Sequence, residues 1–184
     1  MLLDFDIEKA IAAAAYLVSK QGGKESMFFL VKKLYFADRS ALINWGNSIT
    51  GDELASLPSG PVVSRIYDLM KGIGTERNLK LWNDAIARQG NTISIKHYPD
   101  DGSLSEREIE ALEKSRRTID GIRGIKVSDW FHKNCPEWTD PGRSSIPIDP
   151  SQILRIANKS EEEIRQLEHA NDELRILNCL LGAQ

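Results

Sequence analysis

The stretch M-F-F-L-V-K-K-L-Y-F-A-D-R-S-A-L-I-N-W-G, residues 27–46, decides the fold. Met27, Leu30, Val31, Leu34, Ala41, Leu42 and Trp45 recur at helical spacing. They mark the buried face of one helix, which stops near Gly46. Upstream, Ile7, Ala10, Ile11, Ala14, Leu17 and Val18 repeat in the same way, and Gly22-Gly23 ends that helix. Downstream, residues 47–60 are rich in turn formers. Pro61 suits the first position of a helix carrying Val62, Ile66, Leu69 and Met70, with Gly72 as its stop.

Beyond Gly72 the periodicity thins. Thr92-Ile93-Ser94-Ile95 alternates like a half-buried strand, with a hairpin turn at Gln89-Gly90-Asn91 and a second turn at Asp100-Asp101-Gly102. Ser105 and Glu108 form a capping box that opens a helix with Ile109, Leu112 and Ile119 on its apolar face. Ser128 is placed to cap a short helix through Trp130, Phe131 and His132, which Pro136 must end. After an irregular segment to Pro147, Asp149-Pro150 reads as an N-cap and a proline at the first helical position. Ser160 and Glu163 cap the last helix, which stops before Gly182. The expectation is one domain over residues 1–184, mainly α (α+β), with six to eight helices and one small β-hairpin or strand element.

Composition narrows the classes. The 184 residues are 41% hydrophobic and 28% charged, ordinary values for a chain that buries one core. A net charge of −3, from 24 basic and 27 acidic residues, argues against a broad phosphate-binding surface. The longest apolar run, Ala10 to Val18, is nine residues, too short to span a bilayer. It follows Asp4, Asp6 and Glu8 rather than a cationic segment, so a signal peptide is not expected. Cys135 and Cys179 allow at most one disulfide, which fits a reducing cytoplasm.

Taken singly, the polar residues near the deciding helix have ordinary readings. Tyr35 and Phe36 read as packing, Lys32, Lys33 and Arg39 as a solvated face, and Gly51-Asp52 as a turn. Their joint order says more. K-L-Y-F-A-D (residues 33–38), G-D (51–52) and G-P-V (60–62), followed by Tyr67-Asp68, resemble the signature of the Panacea domain, the SocA-like antitoxin or phage-associated-protein family. A second block strengthens the resemblance. It comprises Leu104-Ser105 with Glu108, then His132, Pro136, Glu137, Trp138, Asp140, Pro141, Ser144-Ser145 and Pro147-Ile148. Ser59 stands where an aromatic often precedes Gly-Pro, Val63 where a second proline is frequent, and Phe131 where threonine is common. The similarity spans roughly residues 5–155.

That resemblance implies a non-enzymatic antitoxin, phage- or prophage-associated, that binds a cognate toxin directly or delivers it to a ClpXP-type protease. It implies no cofactor. As motif positions it offers Tyr35, Phe36, Asp38, Arg39, Asp52, Tyr67 and Asp68 for partner contact. Gly51, Gly60, Pro61, Val62, His132, Pro136 and Trp138 would serve the framework. The residues alone add little chemistry. His132 and Cys135 lie three apart, but His97, His169 and Cys179 are scattered, and no zinc motif or phosphate loop appears. His132 is expected to be a hydrogen-bonded structural histidine stacked near Trp138. The alternative is a phage accessory protein that has an unrecognised enzymatic activity or binds nucleic acid, through Lys32, Lys33 and Arg39 or through Arg116-Arg117 and Arg123-Lys126. In the last helix Ile164, Leu167, Asn171, Leu174, Asn178 and Leu181 form a short heptad seam. Packing on its own domain is the favoured use of that seam, and a homodimer or a toxin helix is the alternative.

Overall fold

A computed structural model describes residues 3–99, 102–123 and 126–180. The deciding helix is α2 (Met27–Trp45), and it ends as expected on Gly46, which is left-handed with φ 78°. Helix α1 (Ile7–Ser19) packs against it, and its almost continuous run of small residues, Ala10 and Ala12–Ala15, is buried among α2, the helices Glu76–Ala85 and Glu106–Gly121, and the sheet that holds the strand Thr92–Ile95. Asp6 caps α1 by accepting from the backbone N–H of Glu8 and Lys9, both at 3.0 Å. Helix α5 (Glu106–Gly121) lies along α2 and opens with the expected Ser105–Glu108 capping box. Because α2 is also covered by α7 (Pro150–Ile156) and by a β-sheet, it has little solvent side, and even its polar residues go inside.

The domain is mainly helical, as expected, and its β part consists of two three-stranded antiparallel sheets. The first has the order β1-β5-β4, where β1 is Lys24–Ser26, β4 is Ile86–Gln89 and β5 is Thr92–Ile95. The β4–β5 hairpin turns at Gly90-Asn91, where the sequence places it. The second has the order β3-β2-β6, with β2 at Leu54–Leu57, β3 at Gly60–Val63 and β6 at Ile146–Ile148.

Here the structure corrects the expected helix start at Pro61. Gly60 has φ 99°, a conformation suited to glycine, and it closes a tight hairpin that pairs Leu57 with Gly60 and Leu54 with Val63. Pro61 lies in the edge strand, where its missing N–H costs no ladder bond. Helix α3 (Ser64–Lys71) begins three residues later and stops on Gly72 as expected. Helix α4 (Glu76–Ala85), which buries Trp82, fills the stretch where the periodicity fades. Helix α6 (Val127–Asn134) is capped by Lys126 rather than Ser128, with no side-chain cap bond. Asp149 caps α7, and Ser160 and Glu163 exchange the expected capping bonds at the start of α8 (Glu161–Leu180). Residues Asp100 and Asp101 of the second expected turn, Leu181 of the seam and Gly182 lie outside the described residues, as do the side chains of Asn178 and Cys179. No described helix is long and apolar enough to cross a membrane.

Candidate functional site

Four polar clusters radiate from α2, and each ties it to a different element. Lys33, on the α5 side, is fully buried and pairs with Glu25 Oε2 and Asp120 Oδ1, both at 2.7 Å. Arg123 closes the cluster through Glu25 and, at 2.8 Å, Asp120, while its guanidinium lies 4.1 Å from the centre of the Phe29 ring. Lys33 thus meets two carboxylates, and its charge is not left bare inside.

Lys32 is different. Its Nζ is buried, donates to the Pro61 carbonyl at 2.8 Å, and sits 5.2 Å and 5.8 Å from the ring centres of Phe131 and Phe28. Burial pushes its pKa down to about 7. The same contact explains Gly60: a Cβ there would lie 3.0 Å from Phe131 Cβ and 3.1 Å from Lys32 Nζ. The Gly-Pro pair is thus a socket for a lysine, with glycine giving room and the proline carbonyl facing out of the edge strand.

The third cluster joins α2 to the second motif block. Tyr35 Oη donates to Glu137 Oε1, and Arg39 holds the same carboxylate with Nε to Oε1 at 2.5 Å and a second nitrogen to Oε2 at 3.2 Å. Glu137 and Tyr35 are buried. Burial, reinforced by the Glu137 charge, raises the Tyr35 hydroxyl well above its usual pKa and pushes the neighbouring Cys135 thiol up to about 12. Next to it Trp138 Nε1 donates to the Leu57 carbonyl at 2.9 Å, and Thr139 N donates to Ser56 Oγ at 3.2 Å. His132 stacks on Trp138 at 3.7 Å with the rings 15° apart, as expected, but its buried Nε2 has no hydrogen-bond partner.

The fourth cluster holds the turn. Asp38 Oδ1 accepts from Ile49 N at 3.0 Å and Thr50 N at 3.1 Å, and Oδ2 accepts from Thr50 Oγ1. Asp52 Oδ1 and Oδ2 accept from Arg65 N at 2.9 Å and Ile66 N at 2.8 Å, so a residue remote in sequence caps α3. Gly51 has φ 65°, and a Cβ on it would fall 1.7 Å from the Asp4 carbonyl oxygen. Burial lifts Asp38 to about 6 and Asp52 to about 7, against their backbone hydrogen bonds.

Since the folded state holds these protons more tightly, stability contributed by the pair falls as pH rises from about 4 to about 7. Asp38→Asn is expected to flatten that fall at little cost, because its amide oxygen still serves both N–H groups and its NH2 can donate to Thr50 Oγ1. Asp52→Asn is expected to lose about 1–3 kcal/mol, because its NH2 would face one of the two α3 N–H groups. Urea unfolding of both variants between pH 5 and pH 8 separates the two roles; equal losses would contradict the geometry.

The seven positions offered for partner contact therefore divide. Tyr35, Asp38 and Asp52 are inside the fold, where they cannot form a contact surface. Phe36 and Arg39 are half-buried, Phe36 meeting Trp130 edge-on at 5.6 Å. Tyr67 and Asp68 keep partial exposure on α3, joined by Lys71 at 4.3 Å from the Tyr67 ring and 2.6 Å from Asp68. Gly51, Gly60, Pro61, Val62 and Trp138 lie in or beside the framework just described, whereas Pro136, just past the end of α6, is exposed. Glu137, quoted in the motif block, turns out to be the acceptor of the Tyr35–Arg39 cluster. The missed signal was that apolar residues of α2 occupy more than one face, which leaves Lys32 and Lys33 no solvent to face.

The same burial removes the basic patch, since Lys32 and Lys33 point inward. Arg116, Arg117 and Arg123 are each held by carboxylates of α5. Among the described residues no three His, Cys, Asp or Glu side chains gather into a metal-binding set. A Cys135 thiol at about 12 stays protonated at neutral pH and is a poor nucleophile.

Fold and site together define a small helical domain built around one central helix, whose motif side chains lock a hairpin, a turn and a C-terminal block onto it. The chain belongs to the antitoxin SocA-like, Panacea domain family, whose model matches residues 30–139. That match runs from the first fully buried turn of α2 to the residue after Trp138, and so takes in the Lys32, Tyr35–Glu137 and Asp38–Asp52 clusters. No curated protein and no solved structure gives a significant match.

Proposed function

We propose that this chain is the antitoxin of a toxin–antitoxin pair, carried by a phage or prophage, and that it neutralises its cognate toxin in the cytoplasm by direct binding without catalysis. The observation that carries the reading is the family match over a motif set in which Lys32, Tyr35, Asp38, Asp52 and Glu137 are buried and spend their polar groups inside the fold. An antitoxin of this kind needs a stable framework and an accessible contact surface, not an active site. Of the motif positions, Phe36, Arg39, Tyr67 and Asp68 retain enough exposure to take part in such a contact.

Co-expression with the product of the adjacent gene tests the reading. The neighbour alone is expected to arrest growth, the pair to restore it, and the two proteins to co-elute as one complex. A neighbour that is harmless alone and does not co-elute would remove the reading.

A further inference from the structure

Seven large apolar side chains are exposed among the described residues, and four of them, Leu174, Ile176, Leu177 and Leu180, stand on the last two turns of α8. The first half of that helix is docked. Ile164 is buried, Leu167 packs directly on Gly46, and Asn171 Nδ2 donates to the Gly46 carbonyl at 3.2 Å. The heptad seam is therefore spent on the chain's own domain up to Asn171. Past that point Leu174 is 52% exposed and Leu180 is 77% exposed.

At about 100° per residue, Leu174, Leu177, Leu180 and Ile176 step around the helix over an arc of about 160°. A two-stranded coiled coil uses a narrower seam, so a stripe of this width suits a partner surface that wraps around the helix. Glu173 falls inside the arc, between Leu177 and Leu180. Its neighbour His169 Nδ1, at 3.6 Å, is a cation only when protonated, and nearby Arg175 is held by Asp172 at 3.3 Å.

That carboxylate selects the occupant. A second copy related by a twofold axis across this face would desolvate two Glu173 side chains in one apolar interface with no cation between them, which is costly. The whole of α8 is acidic, with Glu161, Glu162, Glu163, Glu168, Asp172 and Glu173 against Arg165 and Arg175. We propose that the last two turns of α8 are the docking element of the antitoxin. Their occupant is the toxin, a protein with an apolar groove and a lysine or arginine placed to meet Glu173. This rests on the antitoxin reading and deepens it.

The test uses the full chain and the purified product of the adjacent gene as probe, with affinity measured by calorimetry. Leu177→Ser/Leu180→Ser and Glu173→Lys alter side chains that stand outside the core, so the variants keep the wild-type thermal transition. Ile73→Ser, at an exposed apolar residue elsewhere, is the control. The double serine variant is expected to weaken binding roughly 100-fold, Glu173→Lys roughly 10-fold or more, and the control not at all. The chain alone should run as a monomer in light scattering. Unchanged affinity in the double variant overturns the docking inference and leaves the antitoxin reading standing. A dimer of the chain alone that the double variant dissolves assigns the face to a second copy and overturns it too. Failure of the wild-type chain to bind removes the reading and the inference together.

Discussion

Glu137→Ala is expected to lower the unfolding free energy by about 3–5 kcal/mol, the largest loss of any single substitution considered for this chain. The carboxylate is buried and accepts from Tyr35 Oη and from two nitrogens of Arg39. Alanine leaves the buried Tyr35 phenol and the half-buried Arg39 guanidinium without their acceptor, and the uncompensated charge is the costly part. Tyr35→Phe with Arg39→Met and Glu137→Leu removes every member at once and is expected to recover most of the loss, since no orphaned group remains. Urea denaturation of the wild type and the two variants reads this directly. A Glu137→Ala loss below about 1 kcal/mol would mean that the cluster does not hold the second motif block on α2.

Lys32→Met is expected to act in the opposite direction and with a pH signature. The folded lysine titrates at about 7 against an ordinary 10.5. Between those values the unfolded chain binds the extra proton, so wild-type stability contributed by this group rises as pH goes from about 7 to about 10. Below pH 7 both states are protonated and the burial penalty is fully present. Methionine keeps the apolar contacts with Phe28 and Phe131 and carries no charge, although it leaves the Pro61 carbonyl without its donor. The net expectation at pH 7 is a gain of about 1–3 kcal/mol, after about 1–3 kcal/mol is deducted for the carbonyl left without a donor. Thermal melts at pH 6, 7 and 9 should show the difference between variant and wild type shrinking as pH rises. A difference independent of pH would mean that Lys32 reaches solvent.

The two effects have a common origin in α2. A helix packed against helices on several sides and a sheet edge must bury polar residues if its sequence contains them, and each then needs its own partner. This is where the sequence was legible only in part. The stop of α2 on Gly46, the capping boxes at Ser105 and Ser160, the cap at Asp149 and the strand at Thr92–Ile95 all follow from local chemistry, while α1 stops at Ser19, short of the Gly22-Gly23 pair. The short strands Leu54–Leu57 and Gly60–Val63 do not, because four residues buried throughout, or nearly so, show no alternation and a Gly-Pro pair reads equally well as a helix entry.

The inward turn of Lys32 and Lys33 was hidden for a different reason. Their partners Pro61, Glu25 and Asp120 are supplied by other elements, and spacing within α2 carries no trace of them. The motif order points to the right family while the solvated-face reading of its lysines is wrong, since Lys32 and Lys33 are buried with their partners inside the fold. In α8 the heptad pattern placed Leu167 and Asn171 on the domain, but the exposed arc from Leu174 to Leu180 emerges only once the docked half is known.

Neutralisation by binding has a stoichiometry, and catalysis does not. The most direct measurement is a titration of the purified toxin's activity with increasing amounts of this chain. The predicted result is a linear fall to zero at a fixed whole-number ratio, reached immediately and unchanged by longer incubation. Complete inactivation at a small fraction of that ratio, growing with time, would contradict the account.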